Sequence, residues 1–483
     1  MAIAECNGLP SSKSYMESQR LESYTHLPSD AIRYPAGKIF LVIMGVALTG
    51  YAFLGRGFAY AGIPPIFIGE IVLAMGLLTW ILVGGLRIFE SRITWVLILL
   101  MGIGAVGTFR YVGTYGMDAL RDGTLWGYGI FALIVGTFLL KREDRIQKVG
   151  GLYSVWIGLF FVWVIVSLFI RMFAGDLIPR WPYTNVPLIS LKNGDIAVHL
   201  AGAMAFLALG LHRIYGRSFS KRDQEQRFVR SDWWLWGLLI ASAIIVMFTR
   251  AAILTLVATA ILLIIIRPSK SWIKPIMISG LILFSAITLD LEFNRGGDRS
   301  VSPQALVQAF ESIFQETGAG YHDGSRRWRL DWWGDIWNYT VRGEYFWTGK
   351  GYGINLADAD GFQVFGGTHE QAVLRSPHNS HLTFLARSGV PGFSVWIALQ
   401  LLFALTLIQA YRKARCQGRE DFARLNLWVL AYWWAFMMNA GFDVFLEGPQ
   451  GGIWFWSLFG FGLALLIWQK NEMNNGSSNS RRI

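Results

Sequence analysis

Between Arg375 and Gly392 the chain reads RSPHNSHLTFLARSGVPG, which places His378 and His381 one helical turn apart where polar sequence gives way to an apolar run. Histidine is scarce, with 7 in 483 residues, and four of them (His322, His369, His378 and His381) fall in one stretch. An imidazole titrating near neutrality can take a proton from a hydroxyl, ligate a metal or fill a hydrogen-bonding place in a core. A metal site would rest on one i,i+3 pair plus His369 or His322, which is thin against the ligand sets metals require. For His381 a structural role is the default. Upstream, Arg326, Arg327 and Arg329 stand in the tryptophan-dense run SRRWRLDWWGDIWNYTV. Guanidinium forks match phosphate oxygens, and Trp328 and Trp332 offer flat faces suited to sugar rings. The same residues also fit an aromatic belt at a membrane surface with snorkelling arginines.

The elements that must position these groups are apolar. The chain is 53% hydrophobic with 22 Trp and only 16% charged, where soluble chains carry about a quarter charged residues. Mean hydropathy is +0.40. Runs such as WVLILLMGIGAVGTF and SVWIGLFFVWVIVSLFI approach the length that crosses a bilayer. The expectation is an all-α polytopic membrane bundle of about twelve spans. They are placed at 39–55, 64–84, 93–110, 124–140, 151–173, 195–212, 233–249, 251–267, 274–290, 391–411, 423–441 and 451–469.

Alternate loops are basic (KREDRIQK, RIYGRSFSKRDQEQRFVR, YRKARCQGRE), the positive-inside pattern. The net charge of +11 gathers there, which argues for a membrane and against nucleic acid. Residues 1–37 then read as a polar cytoplasmic tail without the apolar core of a cleaved signal. Residues 38–290 hold nine spans, 291–390 a large loop on the periplasmic or outer face, 391–470 three more spans, and 471–483 a cytoplasmic tail. Within the loop, SPQALVQAFESIFQET reads as a helix capped by Ser302 with Pro303 first, and Trp328 to Trp337 recur at helical spacing. Two cysteines, Cys6 and Cys416, point to neither a disulfide framework nor a thiolate metal site.

Several charges lie within the spans or at their outer ends. Arg250 interrupts GLLIASAIIVMFTRAAILTLVATAILLIII, and an arginine at such depth is functional, ion-paired or snorkelling to a lipid phosphate. For Glu70, Arg121, Asp195, Asp443 and Glu447, buried ion pairing is the ordinary reading; Arg121 is also carried as a substrate contact. His199, on an apolar face, reads as a hydrogen-bonded core residue. TGKGYG, Thr348 to Gly353, has glycine spacing like a phosphate loop but neither the preceding strand nor the Gly-Lys-Ser/Thr ending. A turn leaving the aromatic helix is the plainer reading, with Lys350 a secondary phosphate contact.

Taken together, WRLDWW (Trp328–Trp333), WTGKGYG (Trp347–Gly353) and PHNSHLTFLARSGVPG (Pro377–Gly392) resemble the O-antigen ligase and polymerase family of bacterial membrane glycosyltransferases. TRAA (Thr249–Ala252) resembles that family's Ser-Arg-Gly/Ala element with Thr for Ser, and FDVFLEGPQGGIWFW (Phe442–Trp456) a segment common among members. The likeness covers roughly 190–460. It implies transfer of a glycan from a polyprenyl (undecaprenyl) diphosphate carrier to an acceptor hydroxyl, at the outer face of the inner membrane. The setting would be lipopolysaccharide or exopolysaccharide synthesis. The acceptor is lipid A–core in ligases and the next carrier-linked unit in polymerases. No nucleotide sugar, metal or other cofactor is implied, and polysaccharide-assembly proteins are possible partners. Motif matching makes Arg250, Arg329, His378 and Asn379 the catalytic candidates. Around them Arg326, Arg327, Lys350, His381, Trp328, Trp332 and Arg121 are the candidate substrate contacts.

The chemistry agrees with that set. A lipid diphosphate is already a good leaving group, so its departure needs fixed positive charge, while the acceptor needs a base. His378, near the positive end of the helix after Pro377, is expected as the base, with hydrogen bonding to the diphosphate its alternative role. The rivals are a lipid-linked glycan flippase or other transporter, and a non-catalytic accessory subunit. Transporters carry broken helices and polar sites at mid-membrane, whereas the polar groups here gather at one face.

Overall fold

Lipid offers no partner to a backbone amide, so an apolar run in a membrane closes its hydrogen bonds within itself as a helix. The computed structural model follows that rule. It describes residues 29–142, 144–215, 237–243, 249–268, 320–364 and 374–479, with islands at 245, 277–278, 281, 293–294 and 300–301. The helices are α1 (Ser29–Leu54), α2 (Arg56–Ala59), α3 (Ile68–Val83), α4 (Arg92–Tyr115), α5 (Met117–Gly127), α6 (Gly129–Leu140) and α7 (Asp144–Phe173). They continue with α8 (Asn193–Ala208), α9 (Leu211–Tyr215), α10 (Arg250–Ile266), α11 (Gly320–Val341) and α12 (Leu356–Asp360). The last three are α13 (Ser380–Cys416), α14 (Glu420–Ala440) and α15 (Pro449–Asn479). Among the described residues, β1 (Gly62–Ile63) pairs antiparallel with β2 (Ile66–Phe67) and β3 (Phe293–Asn294) with β4 (Ser300–Val301), and isolated bridges join Gly55 to Ser190 and Arg180 to Pro187.

Among the described residues, five helices are long and apolar enough to cross a membrane: Ala36–Leu54 of α1, α4, α7, α13 and Pro449–Met473 of α15. The pair α5–α6, bent by 43°, makes a sixth if taken as one span. Helices α3 and α10 are apolar but shorter. Most of the expected span at 274–290, part of that at 233–249 and the loop helix at 302–317 lie outside the described residues, as do His369 and residues 1–28. Twelve spans are therefore more than the described helices supply by length and composition.

Position in the bundle follows from what each helix can bury. α15 is the central helix, with 89% of its apolar window buried against 28–39% for the other four long helices. α6 lies along it, and Gly136 meets the Gly460 carbonyl at 3.1 Å from where a Cβ would stand, an approach that small residues permit. α14 packs against α8, α10, α13 and α15 and is buried almost all round.

The two ends of the bundle differ chemically. At one end Lys141 donates to the Val83 carbonyl, Arg267 meets Glu420 at 3.2 Å, and Arg424 reaches both Glu420 and the Leu209 carbonyl. This end carries the basic groups of the loops after α6 and α13. At the other end Ser190 bonds the end of α1, Glu70 caps α3 by accepting the Phe67 amide at 3.0 Å, and Lys192 meets Asp443. Glu70, expected in a buried ion pair, is thus an exposed helix cap. Because the C-terminal end of α10 lies beside Glu420, its N-terminal end, with Arg250, lies toward Asp443.

Candidate functional site

His378 stands just outside α13 in a left-handed backbone conformation, φ 51°, which costs a residue with a Cβ roughly 1 kcal/mol. What holds it there is visible on both sides. Trp333 of α11 donates its indole N–H to the Pro377 carbonyl at 2.8 Å. Asn379, buried, caps α13 by accepting the amides of His381 and Leu382 at 3.0 and 3.1 Å. Asn379 is therefore the residue that starts the helix and turns His378 outward. Trp328, one turn before Trp332 on α11, sets its ring edge-on to the His378 ring, with centroids 6.4 Å apart.

The His378 ring reaches the 441–448 segment between α14 and α15. Its Nδ1 lies 3.5 Å from Asp443 Oδ1. Asp443 also receives the Lys192 ammonium, 3.0 Å from each of its oxygens, and its own segment's Val444 amide at 2.7 Å. Arg329 of α11 donates to the Phe442 carbonyl at 3.1 Å, so its guanidinium arrives one residue from Asp443. Ser380 stitches the same segment to α13 by donating to the Asp443 carbonyl and accepting the Leu446 amide. Burial pushes the Asp443 carboxyl up, but the His378 hydrogen bond and the Lys192 ammonium outweigh it and hold the group well below the usual carboxylate range. Burial pulls Lys192 down, yet the Asp443 and Asp195 carboxylates keep it above the ordinary lysine value.

The glycine-rich turn has a different task. Gly389 breaks α13 with φ 64° and ψ −172°, and Pro391 follows it. The carbonyls left without intrahelical partners are taken by TGKGYG: Lys350 N–H bonds Ala386 O at 2.7 Å and Gly351 N–H bonds Arg387 O at 3.2 Å. Here the loop is the partner of a helix break. Lys350 itself pairs with the buried Asp360 and lies 4.3 Å from the Tyr339 ring centroid. Trp332 is fully buried, stacks on Phe362 and gives its N–H to Asp360 at 2.6 Å. Lys350 and Trp332 therefore belong to the packing of the 320–364 segment, where protein groups already partner them.

A second ionic cluster anchors this loop to the bundle. Asp122 of α5 receives Arg387 and Arg375, each at 3.0 Å, and the Gly353 amide at 2.9 Å. Arg375 extends to Asp118, which also meets Arg121 at 3.6 Å. Arg121 is exposed and sits at this rim rather than beside His378. Glu447 is half-buried nearby with its Oε1 turned inward, and burial pushes its carboxyl up against the pull of Arg387.

Both nitrogens of His381 are committed. Trp396 donates to Nδ1 at 3.2 Å, so Nε2 carries the proton and gives it to the Met437 carbonyl at 3.0 Å. His381 thus ties α13 to α14 instead of facing substrate. His199 shares a hydrogen bond with the Tyr432 hydroxyl inside the bundle. Arg326 is half-buried and Arg327 exposed on the first turns of α11. Arg250 opens α10, where Thr249 caps the helix through the Ala252 amide at 3.2 Å. No group of three or more His, Cys, Asp and Glu is arranged to hold a metal among the described residues.

Residues 235–397 match the profile of the O-antigen ligase family. This match supports the likeness to that family. The matched segment contains Arg250, Arg329, His378 and Asn379, the four catalytic candidates. No curated protein matches the chain. An O-antigen ligase segment set among membrane-length apolar helices makes this a multi-pass membrane protein.

Asp443 and Lys192 lie outside the matched segment. Asp443 was legible only as one of several charges at an outer span end. Lys192 carried a weak signal in LKNGD, a polar step before an apolar helix. Asp122, Arg375 and Arg387 carried none, since their meaning lies in who meets whom across some 230 residues or more of chain.

Proposed function

We propose that the protein is a membrane glycosyltransferase of the O-antigen ligase or polymerase type, passing a glycan from a polyprenyl diphosphate carrier to an acceptor hydroxyl at the extracytoplasmic face. The observation that carries this reading is the meeting of His378, Asp443 and Arg329 at the bundle end opposite the basic loops. His378 is the base. Its Nδ1 faces Asp443, which leaves Nε2 for the acceptor, the arrangement by which a carboxylate orients an imidazole. Nε2 takes the hydroxyl proton as the acceptor oxygen attacks the anomeric carbon. The bond from that carbon to the diphosphate oxygen breaks, and its electron pair leaves on the diphosphate. Arg329 and Arg250 neutralise that growing charge, and Trp328 lines the approach to the ring. Arg326 and Arg327 extend the cationic surface along α11. The chemistry asks for no metal ion, since guanidinium groups carry the charge.

Deletion of the gene, followed by sizing of carrier-linked glycan, tests the reading. Accumulated single repeat units indicate a polymerase and accumulated long chains a ligase; an unchanged profile removes both. In the purified protein, His378→Ala is expected to lower transfer by about 100-fold or more while expression stays normal. Near-wild-type transfer by that variant would remove His378 as the base.

A further inference from the structure

Lys192 belongs to none of the family motifs, yet it meets the same Asp443 carboxylate as His378. Its ammonium touches both carboxylate oxygens at 3.0 Å, and one of these, Oδ1, is the oxygen 3.5 Å from His378 Nδ1. Through that shared atom the ammonium and the imidazole stand no more than about 6.5 Å apart, inside a Debye length. The ammonium and the imidazole therefore share one carboxylate. A carboxylate facing a lone imidazole would favour the protonated ring, which cannot act as a base.

We propose that Lys192 is a positioning residue: it pins Asp443 in place and tempers the carboxylate's pull on His378, so that the ring stays free to accept the hydroxyl proton. The inference rests on the function proposed above, in which His378 is the base. The surrounding charges are compatible with it. From α8, Asp195 is buried beside Lys192 and balances it, and from α2, Arg56 faces Lys192. From α11, Arg329 approaches through Phe442, and α10 brings Arg250 to the same end of the bundle. On the 441–448 segment itself, Glu447 is turned to Arg387.

The test uses full-length protein in detergent, with purified carrier-linked glycan as donor. Initial rates are followed from about pH 5 to about pH 9, the range in which histidine titrates. Lys192→Met is expected to move the acid limb of the rate profile to higher pH by about 0.5 to 2 units, the Coulomb effect of one charge at this separation. Asp443→Asn is expected to move the limb the opposite way with a lower kcat, and Lys192→Arg to restore the wild-type limb. Opposed shifts are what a purely structural role does not produce.

A limb unmoved in Lys192→Met, with a raised KM for the donor, overturns the inference and makes Lys192 a diphosphate contact. Shifts in the same direction also overturn it. Should Lys192→Met fail to accumulate, Asp443→Asn decides, and a limb that does not move to lower pH refutes the idea. Wild-type protein without any transfer removes the proposed function and this inference together; active wild type with unmoved limbs removes the inference alone.

Discussion

Asp122→Ala should destabilise the protein by about 3–5 kcal/mol, because it breaks a buried ion pair and removes the carboxylate that two guanidinium groups share. The magnitude follows from what Asp122 holds. Arg387 has a side chain only 1% exposed and loses its ion-pair partner at 3.0 Å, keeping among the described residues the Gly351 and Ile354 carbonyls at 3.2 and 3.3 Å and the more distant pull of Glu447. A hydrogen bond involving a charged group contributes about 1.5–3 kcal/mol, and the Gly353 amide adds roughly 1 kcal/mol. Arg375 is 23% exposed and retains Asp118, so its loss lies at the low end. For a chain of this size the melting temperature should fall on the order of 5 °C. Intrinsic fluorescence of the 22 tryptophans in detergent reports the transition directly. Arg375 lies three residues before His378, so transfer should fall as well. An Asp122→Ala protein that melts within about 1 °C of wild type would show that the cluster contributes little, and the anchoring argument would fail.

Arg250→Lys and Arg329→Lys should each lose most transfer activity with normal expression, since an ammonium cannot make the bidentate contact of a guanidinium. Full activity in both, measured as transfer by purified protein, would refute the charge-neutralising assignment. Gly389→Ala should sharply reduce the amount of folded protein in membranes. Its φ of 64° with ψ of −172° is open to glycine alone, and a Cβ there would stand 2.8 Å from the Gly349 amide nitrogen. Wild-type accumulation on quantitative blotting would mean that the break in α13 relaxes without cost.

Much of the fold was open to reading from composition because lipid imposes one answer on apolar sequence. Helices occupy the predicted positions at α1, α4, α7, α13 and α15, where long apolar runs admit no other closure of backbone hydrogen bonds. Hydropathy did not show which helices face lipid. α15 is central although its composition resembles that of its neighbours, and α8 and α14 lie inside where a count of spans treats them as equals.

For the site, residue type and local spacing were enough to single out His378, Asn379, Arg329 and Arg250, because a helix cap, a titratable ring and an arginine at membrane depth declare themselves within a few residues. They also determined that the chain is helical and bound to lipid. Only the tertiary structure decided which neighbours those groups meet. Asp443 and Lys192 reach His378 from two further helix ends, while Lys350, Trp332 and His381, chemically just as eligible, are taken up by Asp360, Phe362, Trp396 and Met437. The reason is physical: a side chain's chemistry is set by its own atoms, but its availability is set by whichever partners the packed chain places within reach.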